Sequence, residues 1–283
     1  MTWHILAIIC VLTLSVATLL ARVLMKHDKS DPIGYAIIFQ FILAMITLTF
    51  AISFNKFTLP PISKLPLNFL ASSLLWAGST VFSLKAIRHL NAGESKILGS
   101  TGSLITIILG IFILQETFTI KLFLGTLLIL LAIWIISANK ISFKSRKGII
   151  FALVAAACSG TAVVNDAFIL KSYEAFSYTA VMSFLPGIVL LVLFFNKAIK
   201  LIRDINLKLI ITMTVFCFFY AVQAITYYLA LENSAPISQL SPIIQSSVIV
   251  TVILAAIFLK EHNQLLRKLA AAIAMTIGIT LLG

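Results

Sequence analysis

Charged residues are few in this chain: Asp, Glu, Lys and Arg make up 11% of its 283 residues, while hydrophobic residues make up 61% and the mean hydropathy is +1.12. Such a composition lies far outside the range of soluble globular domains and is typical of a protein that lives in a bilayer. The net charge of +12 does not indicate nucleic-acid binding, because the basic residues lie in short loops between apolar runs.

Residue patterns for catalysis and metal binding are also missing. The three Cys lie within apolar runs, the four His lie at the ends of such runs or in loops, and no HExxH, CxxC or GxxxxGK[ST] motif occurs. We therefore expect no metal, no cofactor and no catalytic residue, and we do not expect ATP-driven transport by this chain alone.

Long apolar runs recur along the whole chain. A helix needs about 20 mainly apolar residues to cross roughly 30 Å of hydrocarbon, and lipid offers no partner for unpaired backbone groups, so each run predicts a transmembrane helix. The sequence predicts an all-α integral membrane protein. Its ten expected spans are Trp3–Ala21, Ile33–Phe54, Leu67–Leu84, Ile97–Gln115, Leu122–Ala138, Ile149–Asn165, Ala175–Phe195, Leu209–Leu231, Ala235–Leu259 and Leu265–Leu282.

Basic residues are distributed unevenly between the predicted loops. Seventeen of the 21 Lys and Arg residues fall in or beside the loops that join spans 1 and 2, 3 and 4, 5 and 6, 7 and 8, and 9 and 10. The positive-inside rule makes these loops cytoplasmic. We expect a multi-pass protein of the cell (inner) membrane with both termini on the extracytoplasmic side.

The second half of the chain repeats the first. The string IFILQE at Ile111–Glu116 returns as AIFLKE at Ala256–Glu261, and an offset of about 144 residues aligns spans 1 to 5 with spans 6 to 10. The shared order of features sets this match above the general likeness of apolar helices. Because each half has an odd number of spans, the second half enters the membrane upside down, which is the inverted repeat that secondary transporters build around a midplane site. We expect one transport domain, made of a first repeat at 1–139, a basic cytoplasmic linker at 140–147 and a second repeat at 148–283.

The ends of the repeated helices carry a family resemblance. Glu116 and Glu261 each end an apolar helix and precede a polar turn and a helix that opens with a small residue, Gly125 or Ala270. With the Ser-Pro of QLSPIIQSSV, this pattern resembles the EamA-type drug/metabolite transporter superfamily over nearly the whole chain. The resemblance implies a carrier of small organic solutes with a 5+5 inverted repeat and a cavity lined mainly by spans 1, 3, 4, 6, 8 and 9. The first half lacks the proline, so the two halves need not bend alike.

Polar and aromatic residues recur at helical spacing on spans 3 and 8. Trp76 and Tyr220 coincide under the repeat, and each is followed three residues later by a hydrogen-bonding side chain. Rings in the middle of a span either pack in the core or line a cavity, and the coincidence favours the cavity. On span 9 the amide of Gln245 ranks above the hydroxyl groups, because it needs more hydrogen-bonding partners. The predicted substrate-binding residues are Trp76, Ser79, Tyr220, Gln223, Tyr227, Gln245 and Ser100.

Ionisable residues are rare within the spans. Each costs about 2.5 to 3.5 kcal/mol at the bilayer centre, so it tends to face a cavity or a partner. Asp166, next to Asn165, lies toward the outer end of span 6, and its counterpart Arg22 lies toward the inner end of span 1. Asp166 is either an outer-gate or proton-binding residue or an interfacial acid, and for Arg22 an anchoring role is favoured. The candidates for gating or proton coupling are Asp166, Asn165 and Arg22.

These features together favour a secondary transporter, not an enzyme. It would move a small organic metabolite, such as an amino acid, an amine or an aromatic compound, by alternating access, and export is one direction that the sequence allows. The alternative is an integral-membrane enzyme or assembly factor that uses the helices as a scaffold. The expected partners are the small-molecule substrate and the lipid bilayer, without nucleic acid, and the expected state is a monomer or homodimer.

Overall fold

The protein is a bundle of helices. A computed structural model describes residues 2–27, 32–90, 92–117, 119–137, 145–204, 207–258 and 265–282. These ranges contain a 3₁₀ turn at Ile62–Lys64 and no strand. Their twelve α-helices are α1 (Trp3–His27), α2 (Pro32–Ser53), α3 (Pro66–His89), α4 (Ala92–Leu114), α5 (Ile120–Ser137), α6 (Arg146–Ile169), α7 (Ala175–Leu193), α8 (Phe195–Asp204), α9 (Leu207–Glu232), α10 (Ile237–Gln245), α11 (Ser247–Phe258) and α12 (Leu265–Leu282).

Helix length and composition suit a membrane-spanning protein. Two shorter apolar stretches, Leu98–Leu114 and Ile120–Ile135, lie in α4 and α5. Six helical stretches in the described part are long and apolar enough to cross a bilayer, namely Trp3–Ala21, Ile33–Ser53, Pro66–His89, Arg146–Ile169, Ala175–Leu193 and Leu209–Glu232. The predicted all-α class is confirmed, and the count of ten spans stays a prediction. Residues 140–144 of the predicted linker lie outside the described residues, and so does Glu261.

Large apolar side chains cover much of the outside of the bundle. Phe112 on α4 and Val192 on α7 are each 73% exposed, and Met45 and Ile273 are also largely exposed. Exposed apolar surface on this scale is unfavourable in water, whereas the acyl chains of a bilayer can cover it.

The ninth predicted span is broken in the structure. The sequence predicts one helix over Ala235–Leu259, but α10 ends at Gln245 and α11 begins at Ser247. Pro242 has no N–H to donate to the preceding turn, and the backbone N–H of Ser246 bonds to Ile243 O at 3.0 Å instead of the usual carbonyl four residues back. The break lies four residues after Pro242, which has no counterpart in the first half, where α4 continues without interruption.

A helix that was not predicted, α8, follows α7 after a single residue, Phe194. Its sequence, FNKAIKLIRD, combines apolar residues with Lys197, Lys200 and Arg203. The sequence analysis took these residues as a basic loop, because the segment is too short and too charged to cross a membrane. An amphipathic helix of this composition is typical of the membrane–water interface.

The helices α4 and α6 approach closely at two glycines. A Cβ at Gly160 would lie 2.5 Å from Gly102 O, and a Cβ at Gly102 would lie 3.0 Å from Ala156 O. Neither backbone has room for a side chain without displacing its neighbour. The close approach also lets Thr106 Oγ1 donate a hydrogen bond to Gly160 O at 3.2 Å. These two glycines therefore set the separation between α4 and α6.

Glu116 connects the end of α4 to the start of α10. Its Oε1 accepts a hydrogen bond from Ile237 N at 2.6 Å, and its Oε2 accepts one from Ser238 N at 2.8 Å. The N-cap residue of α10, Pro236, makes no side-chain cap of its own. Glu116 thus satisfies two first-turn N–H groups of α10 and places its negative charge at the positive end of the helix dipole.

Glu116→Ala should lower the free energy of unfolding by about 1 to 2 kcal/mol, because it leaves both N–H groups of α10 without an acceptor. Glu116→Gln keeps one acceptor oxygen and should lose about half as much. Unfolding of the purified protein in detergent, followed by circular dichroism, measures both values. Equal stability of wild type and Glu116→Ala would show that this cap contributes nothing.

Candidate functional site

A cavity of about 260 Å³ lies among the helices α1–α4, α6, α7, α9 and α10. Both halves of the chain contribute to its wall. The described residues that line it include aromatic, amide, hydroxyl, aliphatic and glycine residues, and none of them carries a formal charge. The space suits a small solute with a single ring better than a drug-sized ligand, for which cavities of about 300 to 1,000 Å³ are usual.

Aromatic rings form much of this wall. Phe39 on α2, Trp76 on α3, and Tyr220, Tyr227 and Tyr228 on α9 all line the cavity. Phe39 meets Tyr220 edge-on, with ring centroids 5.0 Å apart, and Tyr227 meets Tyr228 in a similar arrangement at 5.7 Å. Such rings present a large apolar surface with a negative face and a polar edge.

Amide side chains supply the polar part of the wall. Gln40 Nε2 donates a hydrogen bond to Thr80 Oγ1 at 3.2 Å, and Gln223 Nε2 approaches Cys10 Sγ at 3.4 Å. Gln245 is the last residue of α10, next to the helix break, and it also lines the cavity. A primary amide has two donor hydrogens and an acceptor oxygen with two lone pairs, so these side chains can join helices and also bind a polar group of a ligand.

Asp166 on α6 is the centre of a buried hydrogen-bond network. Its side chain is 0% exposed. Oδ1 accepts from Ser72 Oγ at 2.5 Å and from Tyr178 OH at 2.6 Å. Oδ2 accepts from Trp76 Nε1 and from Tyr228 OH, both at 2.7 Å. One carboxylate is therefore surrounded by donors from α3, α7 and α9.

This network fits an ionised carboxylate. The Trp76 indole N–H can only donate, so Oδ2 must be an acceptor, and each carboxylate oxygen has two donors. All four donors are neutral, and within the described residues no cation is among the partners of Asp166. Hydrogen bonds to a charged group contribute about 1.5 to 3 kcal/mol each, so the network offsets part of the cost of burying the charge.

Two asparagines extend the network. Asn68 Nδ2 donates to Asn165 Oδ1 at 2.6 Å, while Asn165 Nδ2 bonds to Asn68 O at 2.8 Å and to Ser72 Oγ at 2.7 Å. The start of α3 is therefore fastened to the end of α6, one residue from Asp166.

Further contacts join neighbouring helices at this end of the bundle. Ser177 at the start of α7 bonds to Lys56 O and Thr58 N beyond the end of α2, at 2.8 and 2.9 Å. Glu232 at the end of α9 accepts from Ala175 N at 3.4 Å. We call this region, where α2, α6 and α9 end and α3 and α7 begin, the Asp166 end.

Of the seven predicted substrate-binding residues, five line the cavity. They are Trp76, Tyr220, Gln223, Tyr227 and Gln245. Ser79 and Ser100 are buried but do not line it. On α3 the cavity-lining partner of Trp76 is Thr80, because a residue four positions on lies closer to the same helix face than a residue three positions on.

The predicted gate residues occupy different surroundings. Asp166 does not itself line the cavity, but two of its donors, Trp76 and Tyr228, do. Its side chain is completely buried inside the bundle. Asn165 lies beside it in the same network. Arg22 lies within α1, and its side chain is outside the part of the structure that is described.

The sequence analysis missed three partners of Asp166, namely Ser72, Tyr178 and Tyr228. Tyr178 is the fourth residue of α7, where a Tyr ordinarily marks the membrane interface. Ser72 is one of two adjacent serines on α3. A usable signal was present, because Asn68, Ser72, Trp76 and Thr80 recur at intervals of four residues and mark one polar face along α3.

The described residues hold no group of three or more His, Cys, Asp or Glu that could bind a metal ion. Cys10, Cys158 and Cys217 are not joined in disulfides. The site itself consists of rings and amides in the wall and a carboxylate network behind it.

Comparison with known proteins identifies the family. The model of the EamA-like transporter family matches residues 1–138 and 146–283. The chain belongs to the EamA-like transporter family. This family falls within the drug/metabolite transporter superfamily, so the predicted membership is confirmed, and the chain is a multi-pass membrane protein of that transporter type.

A comparison with solved structures bears on the fold. One crystal structure is similar to this EamA-family chain over 99% of its length and over 96% of the other chain, with a TM-score of 0.79 and 10% sequence identity. At that identity the likeness shows the fold alone. No curated protein matches the chain.

Proposed function

We propose that this EamA-family protein is a secondary transporter that moves a small organic metabolite across the membrane by alternating access. The observation that carries the proposal is the cavity between the two halves, which is lined by α1–α4 from the first half and by α6, α7, α9 and α10 from the second. Its rings and amides suit an amino acid, an amine or an aromatic compound, and transport can run toward uptake or export. Trp76, Tyr220, Tyr227, Gln223 and Gln245 are the proposed substrate contacts.

The proposed mechanism requires two related halves, and several features support an inverted repeat. The family model matches each half separately. The helix pairs with extensive packing fit the same symmetry. If each helix is replaced by its counterpart in the other half, the α1–α9 pair becomes the α6–α3 pair, and the pairs α2–α7 and α5–α12 stay the same. Two halves related in this way can adopt each other's arrangement, which would open the cavity first to one side and then to the other.

We further propose that Asp166 and Asn165 form the gate at the Asp166 end. The carboxylate holds α3, α7 and α9 against α6, so this end can open only when those hydrogen bonds break. Protonation would weaken the network, because a protonated oxygen must donate, and the hydroxyl partners Ser72, Tyr178 and Tyr228 can turn to accept its hydrogen whereas the Trp76 indole cannot. Arg22, the counterpart of Asp166 under the repeat, is proposed for the opposite end.

Asp166→Asn tests this coupling. Asn cannot take up a proton, so a proton gradient should no longer drive accumulation, while exchange of substrate for substrate should continue. Proteoliposomes with labelled amines, amino acids and aromatic compounds, with and without a pH gradient, measure the two activities separately. Glu174→Gln is the matched control, because it also turns a carboxylate into an amide at the Asp166 end but lies outside the network. Undiminished gradient-driven accumulation by Asp166→Asn would exclude Asp166 as the coupling residue.

The orientation is part of the same proposal. We place the protein in the cell (inner) membrane, as a monomer or homodimer, with both termini and the Asp166 end on the extracytoplasmic side. A fluorescent protein that folds only in the cytoplasm should then stay dark when fused after Gly283, and a bright fusion would reverse the orientation.

A further inference from the structure

The cavity has an electrostatic asymmetry. All of the described residues that line it are uncharged. Asp166 lies directly behind the wall, and two residues of the wall, Trp76 and Tyr228, donate hydrogen bonds to its carboxylate. A negative charge with neutral partners in a low-dielectric interior attracts a cation over a longer distance than it would in water.

The two rings strengthen this preference. Trp76 and Tyr228 donate their polar hydrogens to the carboxylate, so their positive edges are occupied while both rings also line the cavity. The faces of aromatic rings are negative and attract ammonium groups, and Trp attracts them more strongly than Tyr or Phe. Phe39, Tyr220 and Tyr227 add further rings to the same wall.

We infer that the cavity takes an organic cation, an ammonium group attached to a small aromatic or apolar body, with Asp166 as its counter-charge. The inference rests on the proposed transport function and narrows its substrate class to the amine. An anion would be repelled by Asp166. The carboxylate of an amino acid would find no cationic partner among the described residues of the wall. A neutral compound of the same shape would gain nothing from the charge.

Four compounds that share one phenyl ring separate these classes. They are 2-phenylethylamine as the cation, phenylalanine as the zwitterion, 2-phenylethanol as the neutral compound and 3-phenylpropionate as the anion. Binding to the pure protein in nanodiscs is measured by calorimetry, with empty nanodiscs to subtract partition into lipid. The cation should bind at least about tenfold more tightly than 2-phenylethanol, a difference of about 1.4 kcal/mol, because only the cation is attracted by the carboxylate of Asp166.

Two variants locate the source of the preference. Asp166→Asn should reduce the preference for 2-phenylethylamine over 2-phenylethanol to less than about threefold, while the affinity for the alcohol stays the same. Glu174→Gln should leave the preference unchanged, since Glu174 bonds to Ser177 and not to the network. The comparison of ligands on the wild-type protein decides the class even if Asp166→Asn does not fold.

Each outcome bears on the inference. Equal binding of the cation and the alcohol, tighter binding of phenylalanine, or no binding of any of the four would overturn it. A preference that survives Asp166→Asn in a folded protein would also overturn it. If phenylalanine is bound and transported, the proposed transport function stands without the inference. If 2-phenylethylamine binds with the expected preference but is not carried across proteoliposomes, the inference stands and the transport function fails.

Discussion

Asp166→Leu should lower the free energy of unfolding by roughly 2.5 to 7 kcal/mol, if each of the four hydrogen bonds contributes about 0.6 to 1.7 kcal/mol as polar contacts between membrane helices do. Leu keeps the branching of Asp at Cγ but leaves Ser72, Trp76, Tyr178 and Tyr228 without their common acceptor. The loss is large because the donors come from α3, α7 and α9, so one substitution loosens three helix contacts together. Titration with a denaturing detergent, followed by circular dichroism, measures it.

The comparison with Asp166→Asn makes this measurement specific. The amide oxygen of Asn can face Trp76, and its NH₂ group can donate to the hydroxyl oxygens of Ser72 and Tyr178, so most of the network can be rebuilt. Asp166→Asn should therefore retain most of the stability. Equal losses for the Leu and Asn variants would mean that the hydrogen bonds at Asp166 do not stabilise the bundle.

Gly160→Ala should have the second large effect. The added Cβ would lie 2.5 Å from Gly102 O, and a backbone atom at that distance must move. Overpacking of this kind costs about 1 to 3 kcal/mol, and it should also break the hydrogen bond from Thr106 to Gly160 O. Because Gly102, Thr106 and Gly160 all line the cavity, ligand binding should weaken along with stability.

Gly99→Ala is the matched control for stability. Gly99 lies on the same helix as Gly102, but a Cβ at that position meets nothing within 4 Å. Ala is a better helix former than Gly by about 1 kcal/mol, so this variant should be as stable as the wild type or more so. If Gly160→Ala is equally stable, the close packing of α4 on α6 is not required for the fold.

The sequence predicted the helical class well, because apolar runs of spanning length admit only one kind of backbone in lipid. It located Pro242 but not the break itself, which depends on how the backbone after the proline rebuilds its hydrogen bonds at Ser246. It missed α8, because a short amphipathic helix has neither the length nor the apolar content of a span.

The site was predictable in part for similar reasons. Trp76, Tyr220 and Gln223 could be chosen because the repeat aligned them, and the structure places all of them at the cavity. Ser79 was predicted to lie on the same helix face as Trp76, but the helical rotation brings Thr80 to the cavity instead. Two partners of Asp166, Tyr178 and Tyr228, could not be chosen from spacing alone, since they lie on α7 and α9 and reach Asp166 only through the tertiary fold.

Counterflow in proteoliposomes tests most directly whether a solute crosses through this cavity. Liposomes that hold the pure protein are loaded with unlabelled amines, amino acids and aromatic compounds, and entry of each labelled compound is followed for the wild type and for Gly99→Phe. Gly99 lines the cavity and has open space beyond its Cα, so the Phe ring should fill the cavity without displacing backbone. We expect transient accumulation of at least one compound by the wild type and none by the folded Gly99→Phe variant. Equal accumulation by both proteins, or none by the wild type with any compound, would contradict transport through this cavity.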